Sequence, residues 1–191
     1  GGPDRAVNFS VPTGNFGDIF AGYLAKRMGL PIDRLVIATN KNDVLHRLLT
    51  TGHYTRQQLL QSLSPSMDIT VSSNFERLMF DLYQRDADAV YDLMEQFAGG
   101  EIVLSESAMR DARSLFASQC VSDEQTCSEI ARVWQNNEYL LDPHSAIGTR
   151  AALDCQVNPA SPMVTLVTAH PAKFPDAVAA SGVGQQPTLP Q

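Results

Sequence analysis

A glycine-rich turn between two apolar runs constrains this chain more than any other feature. Val7 to Pro12 (VNFSVP) is a short run with β-branched and aromatic members, and it leads directly into Thr13-Gly14-Asn15-Phe16-Gly17-Asp18. That pattern reads as a strand entering a turn. From Gly17 onward Phe20, Tyr23, Leu24, Arg27 (by its aliphatic stem) and Met28 fall at helical spacing, and Gly29-Leu30-Pro31 supplies a glycine cap and a stop. A helix of about three turns fits this span. Leu35 to Thr39 (LVIAT) is then a continuous apolar run, as expected of a parallel strand buried on both faces. Strand, helix and strand form a βαβ unit, so the expected class is α/β, with a mostly parallel sheet flanked by helices.

The turn has a chemistry of its own. Glycines at Gly14 and Gly17 let backbone N–H groups converge on one point, and the following helix adds the positive end of its dipole, which suits a phosphate. In open α/β sheets ligands also collect at the carboxyl ends of the strands, where this turn lies. Asp18 would repel an anion unless it points away, so it is expected to cap the helix or bond to loop amides. The pattern is neither G-x-G-x-x-G nor a G-K-[ST] loop, so no dinucleotide or Walker-type nucleotide is indicated. Local chemistry alone leaves a phosphate loop and an ordinary tight turn both open.

Two more helices are expected, Asp43 to Thr50 and Phe75 to about Tyr83, the second with Phe75, Leu78, Met79 and Leu82 as a core-facing stripe. Residues 86–137 carry successive helical patterns and read as the cover of the sheet. Among them Ser122-Asp-Glu-Gln125 has the form of a capping box ahead of Ile130, Val133 and Trp134. Pro143 is placed to start a helix running to about Leu153, and Met163 to Thr168 (MVTLVT) reads as a second buried strand. Residues 1–182 are thus expected to form the folded body. The Gly-, Gln- and Pro-rich residues 183–191 are expected to form a frayed or disordered tail.

Composition excludes several classes. With 191 residues, 43% of them hydrophobic, the chain can bury one substantial core. A formal net charge of −7 with scattered Lys and Arg argues against nucleic acid as a partner. No run approaches the roughly 18–20 apolar residues that span a bilayer, and the first residues lack the basic-then-apolar layout of a signal peptide. The default expectation is therefore a cytoplasmic protein with no membrane partner. Cys120, Cys127 and Cys155 form no C-x-x-C pair and have no histidine at ligand spacing, so they read as reduced and structural, with no metal site. The opening Gly1-Gly2-Pro3, without Met, reads as part of a longer protein.

The segment VPTGNFGDIFAGYLAKRMGLPI resembles the phosphate-loop region of threonine synthases. LVIATNKND, SSNFERL, LLDPHSAIG and TAHPAKFP follow in the order that family shows, so the resemblance covers roughly residues 6–178. It implies the large-domain part of a fold type II pyridoxal-phosphate enzyme, specifically its C-terminal portion. The implied reaction converts O-phospho-L-homoserine and water to L-threonine and phosphate, with pyridoxal 5′-phosphate as the electron sink. By resemblance Gly14, Asn15, Phe16 and Gly17, with Asp18 at the margin, hold the cofactor phosphate, and Thr168, at the end of its strand, faces the pyridine nitrogen. A neutral hydroxyl there would not hold that nitrogen protonated as a carboxylate would.

The resemblance also implies a Schiff-base lysine, and none of Lys26, Lys41 and Lys173 occupies the family's position for it. It is expected in a missing N-terminal part, so no catalytic residue is assigned in this chain and no turnover is expected from it alone. Two alternatives stand beside this reading: a threonine-synthase-like phospho-lyase, and a non-catalytic remnant that binds a phosphate metabolite.

Arg77 is a candidate for the substrate's phosphate through bidentate pairing, against a reading as an exposed arginine in a helix capped by Ser73 or Asn74. Lys173, just after Thr168, is a second candidate, as a point charge on the pocket rim, against a lysine that merely closes a surface loop. His144 and Ser145 read first as a helix-entry turn, and His170 as a rim residue. His46 and His53 carry no partner pattern.

Overall fold

The computed structural model of the protein describes residues 5–156 and 158–189. In chain order the first elements are β1 (Val7–Pro12), α1 (Gly17–Arg27), β2 (Ile32–Thr39), α2 (Val44–Thr51), β3 (His53–Thr55), α3 (Phe75–Leu82) and α4 (Ala87–Ala98). There follow β4 (Glu101–Val103), α5 (Glu106–Leu115), β5 (Phe116–Cys120), α6 (Asp123–Asn137), α7 (Pro143–Cys155), β6 (Met163–Thr165) and α8 (Pro175–Ala180). Four strands form one sheet in the order β5-β2-β1-β6, every neighbouring pair parallel, while β3 and β4 make a small antiparallel ribbon. This is α/β architecture of the expected kind.

β2 is buried on both faces, as its unbroken apolar run requires. Leu35 and Ile37 pack with Phe16, Ile19 and Leu45 on one side, while Val36 and Ala38 meet Ile147 and Ala151 of α7 on the other. Each of the Leu, Ile, Val and Phe side chains contributes about 1.5–3 kcal/mol through removal from water. α7 lies so close to the sheet that Gly148 has no room for a side chain. A Cβ there would come within 3.0 Å of Pro12 Cγ and of Thr165 Cγ2. The Ser10 hydroxyl closes this contact by donating to the Gly148 carbonyl at 2.7 Å.

The structure departs from expectation in four places. The stripe on α1 is rotated: Ile19 and Tyr23 are its buried residues, whereas Leu24 and Met28 are exposed. Residues 86–137 do more than cover the sheet, since they include β4 and supply the edge strand β5, paired to β2 from Leu35↔Phe116 to Thr39↔Cys120. FASQC shows no alternation because only its first residue is fully buried, so its strand character comes from the ladder on β2.

The third departure is β6, a three-residue edge strand that is not fully buried and ends at Thr165, not Thr168. After Leu166 N–H donates to Ser10 O at 3.0 Å, the next rung would need an N–H on Pro12, which proline lacks. The fourth concerns α3: neither Ser73 nor Asn74 caps it through a side chain. Residues 183–189 have no regular structure, and Val183 packs against the Ile130–Val133 cluster. The last two tail residues and the opening residues 1–4 lie outside the described residues.

The capping box on α6 forms with both of its reciprocal bonds. The three cysteines are free and half-buried. No helix among the described residues is long and apolar enough to cross a membrane.

Candidate functional site

The loop after β1 is held from several directions. Thr13 N–H donates to Ala38 O at 2.8 Å and its hydroxyl to Val11 O at 2.6 Å, tying the start of the loop to the ends of β1 and β2. Gly14 then passes against the short 3₁₀ turn Pro65–Met67; a Cβ on it would stand 3.2 Å from Ser66 O. Asn15 folds back, its Oδ1 accepting from Gly17 N–H at 2.8 Å.

Phe16 makes the reversal into α1. Its φ of 70° is left-handed, which costs a non-glycine residue about 1–3 kcal/mol. The ring offsets that cost: it is buried, edge-on to Phe75 at 5.3 Å and tilted against Phe116 at 5.9 Å. Phe16 therefore serves the loop through its backbone, while its side chain belongs to the core. Among the described residues the amides of Asn15, Phe16 and Asp18 have no hydrogen-bond acceptor, so donors are left at the N-terminus of α1. Asp18 does not satisfy them, because it is exposed and makes no cap bond.

These groups open on a cavity of about 150 Å³. Gly14, Asn15 and Asp18 of the loop line it together with Ser66 and Met67 and with His144, Thr168 and Ala169. The loop and Thr168 thus share one cleft at the carboxyl ends of β1 and β6. The volume is below the roughly 300–1,000 Å³ usual for a complete small-molecule site.

Behind Thr168 lies a buried polar relay. Asp142 caps α7, its Oδ1 accepting from the N–H groups of His144 at 2.8 Å and Ser145 at 3.3 Å, while Ser145 Oγ donates to Asp142 Oδ2. The same Oγ accepts from Thr168 N–H at 3.3 Å, so the helix cap fixes the residue that faces the cavity. His144 Nε2 accepts from Ser66 N–H at 3.3 Å, which leaves Nδ1 to donate to Asp142 Oδ1 at 3.0 Å. Burial by itself would raise the Asp142 carboxyl, but hydrogen bonds from His144 and Ser145 outweigh it and hold the group below its ordinary value.

Residues 145–191 match the family model described as threonine synthase, C-terminal. Over 191 residues the chain is 57% identical to the threonine synthase of Pseudomonas aeruginosa, covering all of this chain and 41% of that protein. Its structure superposes on the crystal structure of pyridoxal-phosphate-bound threonine synthase from Brucella melitensis with a TM-score of 0.96, at 53% identity and over 100% of this chain and 41% of that one. The yeast threonine synthase structure matches with a TM-score of 0.89 at 39% identity, over 94% of this chain and 39% of that one.

The chain is similar to the threonine synthases. It corresponds to the C-terminal part and spans about 41% of the length of these relatives. Of the residues singled out from the sequence, the fold gathers Gly14, Asn15, Asp18 and Thr168 around one cavity, with His144 as an additional wall.

Four candidates are not among the lining: Phe16 and Gly17 belong to the loop itself, while Arg77 and Lys173 lie elsewhere. Arg77 lines a larger groove of about 630 Å³ between α1 and α3, with Phe20, Leu24 and Phe80. Lys173 is exposed at the end of the 3₁₀ turn Pro171–Lys173, outside the cavity lining. The sequence reading overlooked Ser66 and Met67; the Ser-Pro-Ser of residues 64–66 was the available signal for a turn, but nothing local says what that turn packs against.

Proposed function

We propose that this chain forms the cofactor-phosphate side of a threonine synthase. In this reading the loop Gly14 to Gly17, with Asp18 at the margin, holds the phosphate of pyridoxal 5′-phosphate through its free amides, and Thr168 faces its pyridine nitrogen. The observation that carries the reading is the meeting of the Asn15 loop and Thr168 on one cavity, beside free helix-start amides. The Brucella relative, whose title names this cofactor as bound, supports it.

When bound, the cofactor supplies the electron sink. The chain's own residues bind and orient it: the loop amides fix its anionic end, and the hydroxyl of Thr168 hydrogen-bonds the ring nitrogen without the charge that would hold it protonated. The whole protein then converts O-phospho-L-homoserine and water to L-threonine and phosphate. The lysine that attaches the cofactor is assigned to an N-terminal part of the protein. Lys26 is engaged with Ile32 O, Lys41 pairs with Asp123 at 2.7 Å, and no lysine lines the cavity. Alone, the chain is expected to lack turnover. Arg77 and Lys173 stand as candidates for the substrate's phosphate by residue type, and neither lines the cavity.

Amide NMR of the ¹⁵N-labelled chain during titration with pyridoxal 5′-phosphate, and separately with inorganic phosphate, tests the site. The expected result is perturbation of Gly14 to Gly17 by both, and of Thr168 by the cofactor. Shifts confined to other residues would overturn the assignment.

A further inference from the structure

The Ser72-Ser73-Asn74 segment contacts the loop at Gly14 and Asn15, and none of its residues is among those lining the cavity. Ser72 Oγ donates to the Gly14 carbonyl at 2.7 Å. Asn74 donates twice to the Asn15 carbonyl, from its backbone N–H at 3.0 Å and from Nδ2 at 2.9 Å. In a planar trans peptide the C=O of one residue and the N–H of the next point in opposite directions. Holding the Gly14 carbonyl on Ser72 therefore turns the Asn15 amide away from Ser72, and holding the Asn15 carbonyl on Asn74 does the same for the Phe16 amide. Those two amides are among the ones without an acceptor among the described residues.

We propose that Ser72 and Asn74 are positioning residues that aim the Asn15 and Phe16 amides at the cofactor phosphate; this rests on the phosphate reading given above. Asn74 stands at the N-cap position of α3 yet makes no side-chain cap bond, so its amide group serves the loop and not its own helix. Ser72 is buried, with no water to replace its bond, and is itself fixed: its N–H donates to Tyr54 Oη at 2.8 Å. The Tyr54 ring stacks on Phe97 at 4.7 Å. Ser72 is thus tied through Tyr54 to an aromatic pair of the core, and a donor aimed by fixed contacts is preorganised.

The test uses the whole protein, the chain joined to its N-terminal part, with Ser72→Ala, Ser72→Thr and Asn74→Ala. The readouts are the dissociation constant for pyridoxal 5′-phosphate, the ³¹P shift of the bound phosphate and the melting temperature of the cofactor-free form. S72A should weaken cofactor binding roughly tenfold and move the ³¹P shift, the scale of one lost hydrogen bond that leaves a carbonyl unpaired; N74A, in which the backbone N–H of residue 74 still holds the Asn15 carbonyl, should weaken binding by only about threefold and move the ³¹P shift less. S72T, which keeps the hydroxyl, should restore both. Should S72A not fold, N74A, at a partly exposed position, decides alone. Wild-type affinity and ³¹P shift in the variants, or a lowered melting temperature with an unchanged ³¹P shift, would overturn the proposal while leaving the site intact. Binding by the wild-type protein without perturbation of the Gly14 to Gly17 amides would overturn both readings.

Discussion

Phe16 and Phe75 meet edge to face with ring centroids 5.3 Å apart, so the residue that bends the loop also anchors it in the core. Phe16→Ala should destabilise the chain by about 3–5 kcal/mol, as for other large-to-small core changes. Because the backbone at Phe16 has a φ of 70°, Phe16→Gly should be no less stable than Phe16→Ala despite the entropy of glycine. Urea unfolding of the three proteins decides; a glycine variant clearly weaker than the alanine variant would count against stored backbone strain.

Asp142 gives the chain a pH dependence with a definite sign. Its carboxyl is held below its ordinary value by His144 and Ser145, so it is a group depressed in the folded state. Its contribution is fully present above the ordinary carboxylate range and is lost as pH falls through the folded-state value, beginning near about pH 5. Asp142→Asn should cost about 1–3 kcal/mol at neutral pH through bonds left unpaired, and its unfolding free energy should fall less steeply on acidification than that of the wild type. Parallel slopes for the two proteins in denaturant titrations across the acid range would show that Asp142 is not the group responsible.

Gly148 is a test of close packing. Alanine gains about 1 kcal/mol in helix propensity over glycine, but its methyl would sit 3.0 Å from the Pro12 ring and from Thr165 Cγ2. Overpacking costs about 1–3 kcal/mol, and a proline ring cannot swing aside, so Gly148→Ala should be net destabilising by about 1 kcal/mol and Gly148→Val by more. Calorimetric melting of both variants measures this; a stabilised alanine variant would contradict the close approach.

Thr168 should behave as a ligand residue and not as a structural one. It is exposed and lies beyond the end of β6, so Thr168→Ala should change the stability of the cofactor-free protein by no more than about 0.5 kcal/mol. In the whole protein the same change should alter the absorption spectrum of bound pyridoxal 5′-phosphate, while Thr168→Ser should retain it. An unchanged spectrum in the alanine variant would remove Thr168 from the ring nitrogen.

The βαβ unit was legible because its strands are bounded by turn residues and β2 is apolar on both faces. The α6 cap was legible because Ser122 and Gln125 stand three apart, and every partner in that motif is local. β5 was not, because FASQC has no pattern of its own and becomes a strand only by pairing with Leu35 to Thr39. The end of β6 was misplaced for a similar reason: the run MVTLVT is apolar throughout, and what stops the ladder is the missing N–H of Pro12 on another strand. At the site, Gly14, Asn15 and Thr168 were legible, whereas Ser66 and the clamp from Ser72 and Asn74 were not, since these reach the loop from more than 50 residues away, Ser72 to Gly14 spanning 58 positions.

The sequence by itself determined that a glycine-rich turn follows a strand and opens a helix, and thereby where unpaired amides would gather. Their direction was settled elsewhere in the chain. Ser72 and Asn74 hold the carbonyls on one side, Phe75 and Phe116 receive the ring that holds Phe16 left-handed, and the cap of α7 brings Thr168 to the same cavity. Local chemistry can place donors at the start of a helix, but the orientation of a peptide plane depends on what its oxygen bonds to, and here those partners meet only once the chain has folded.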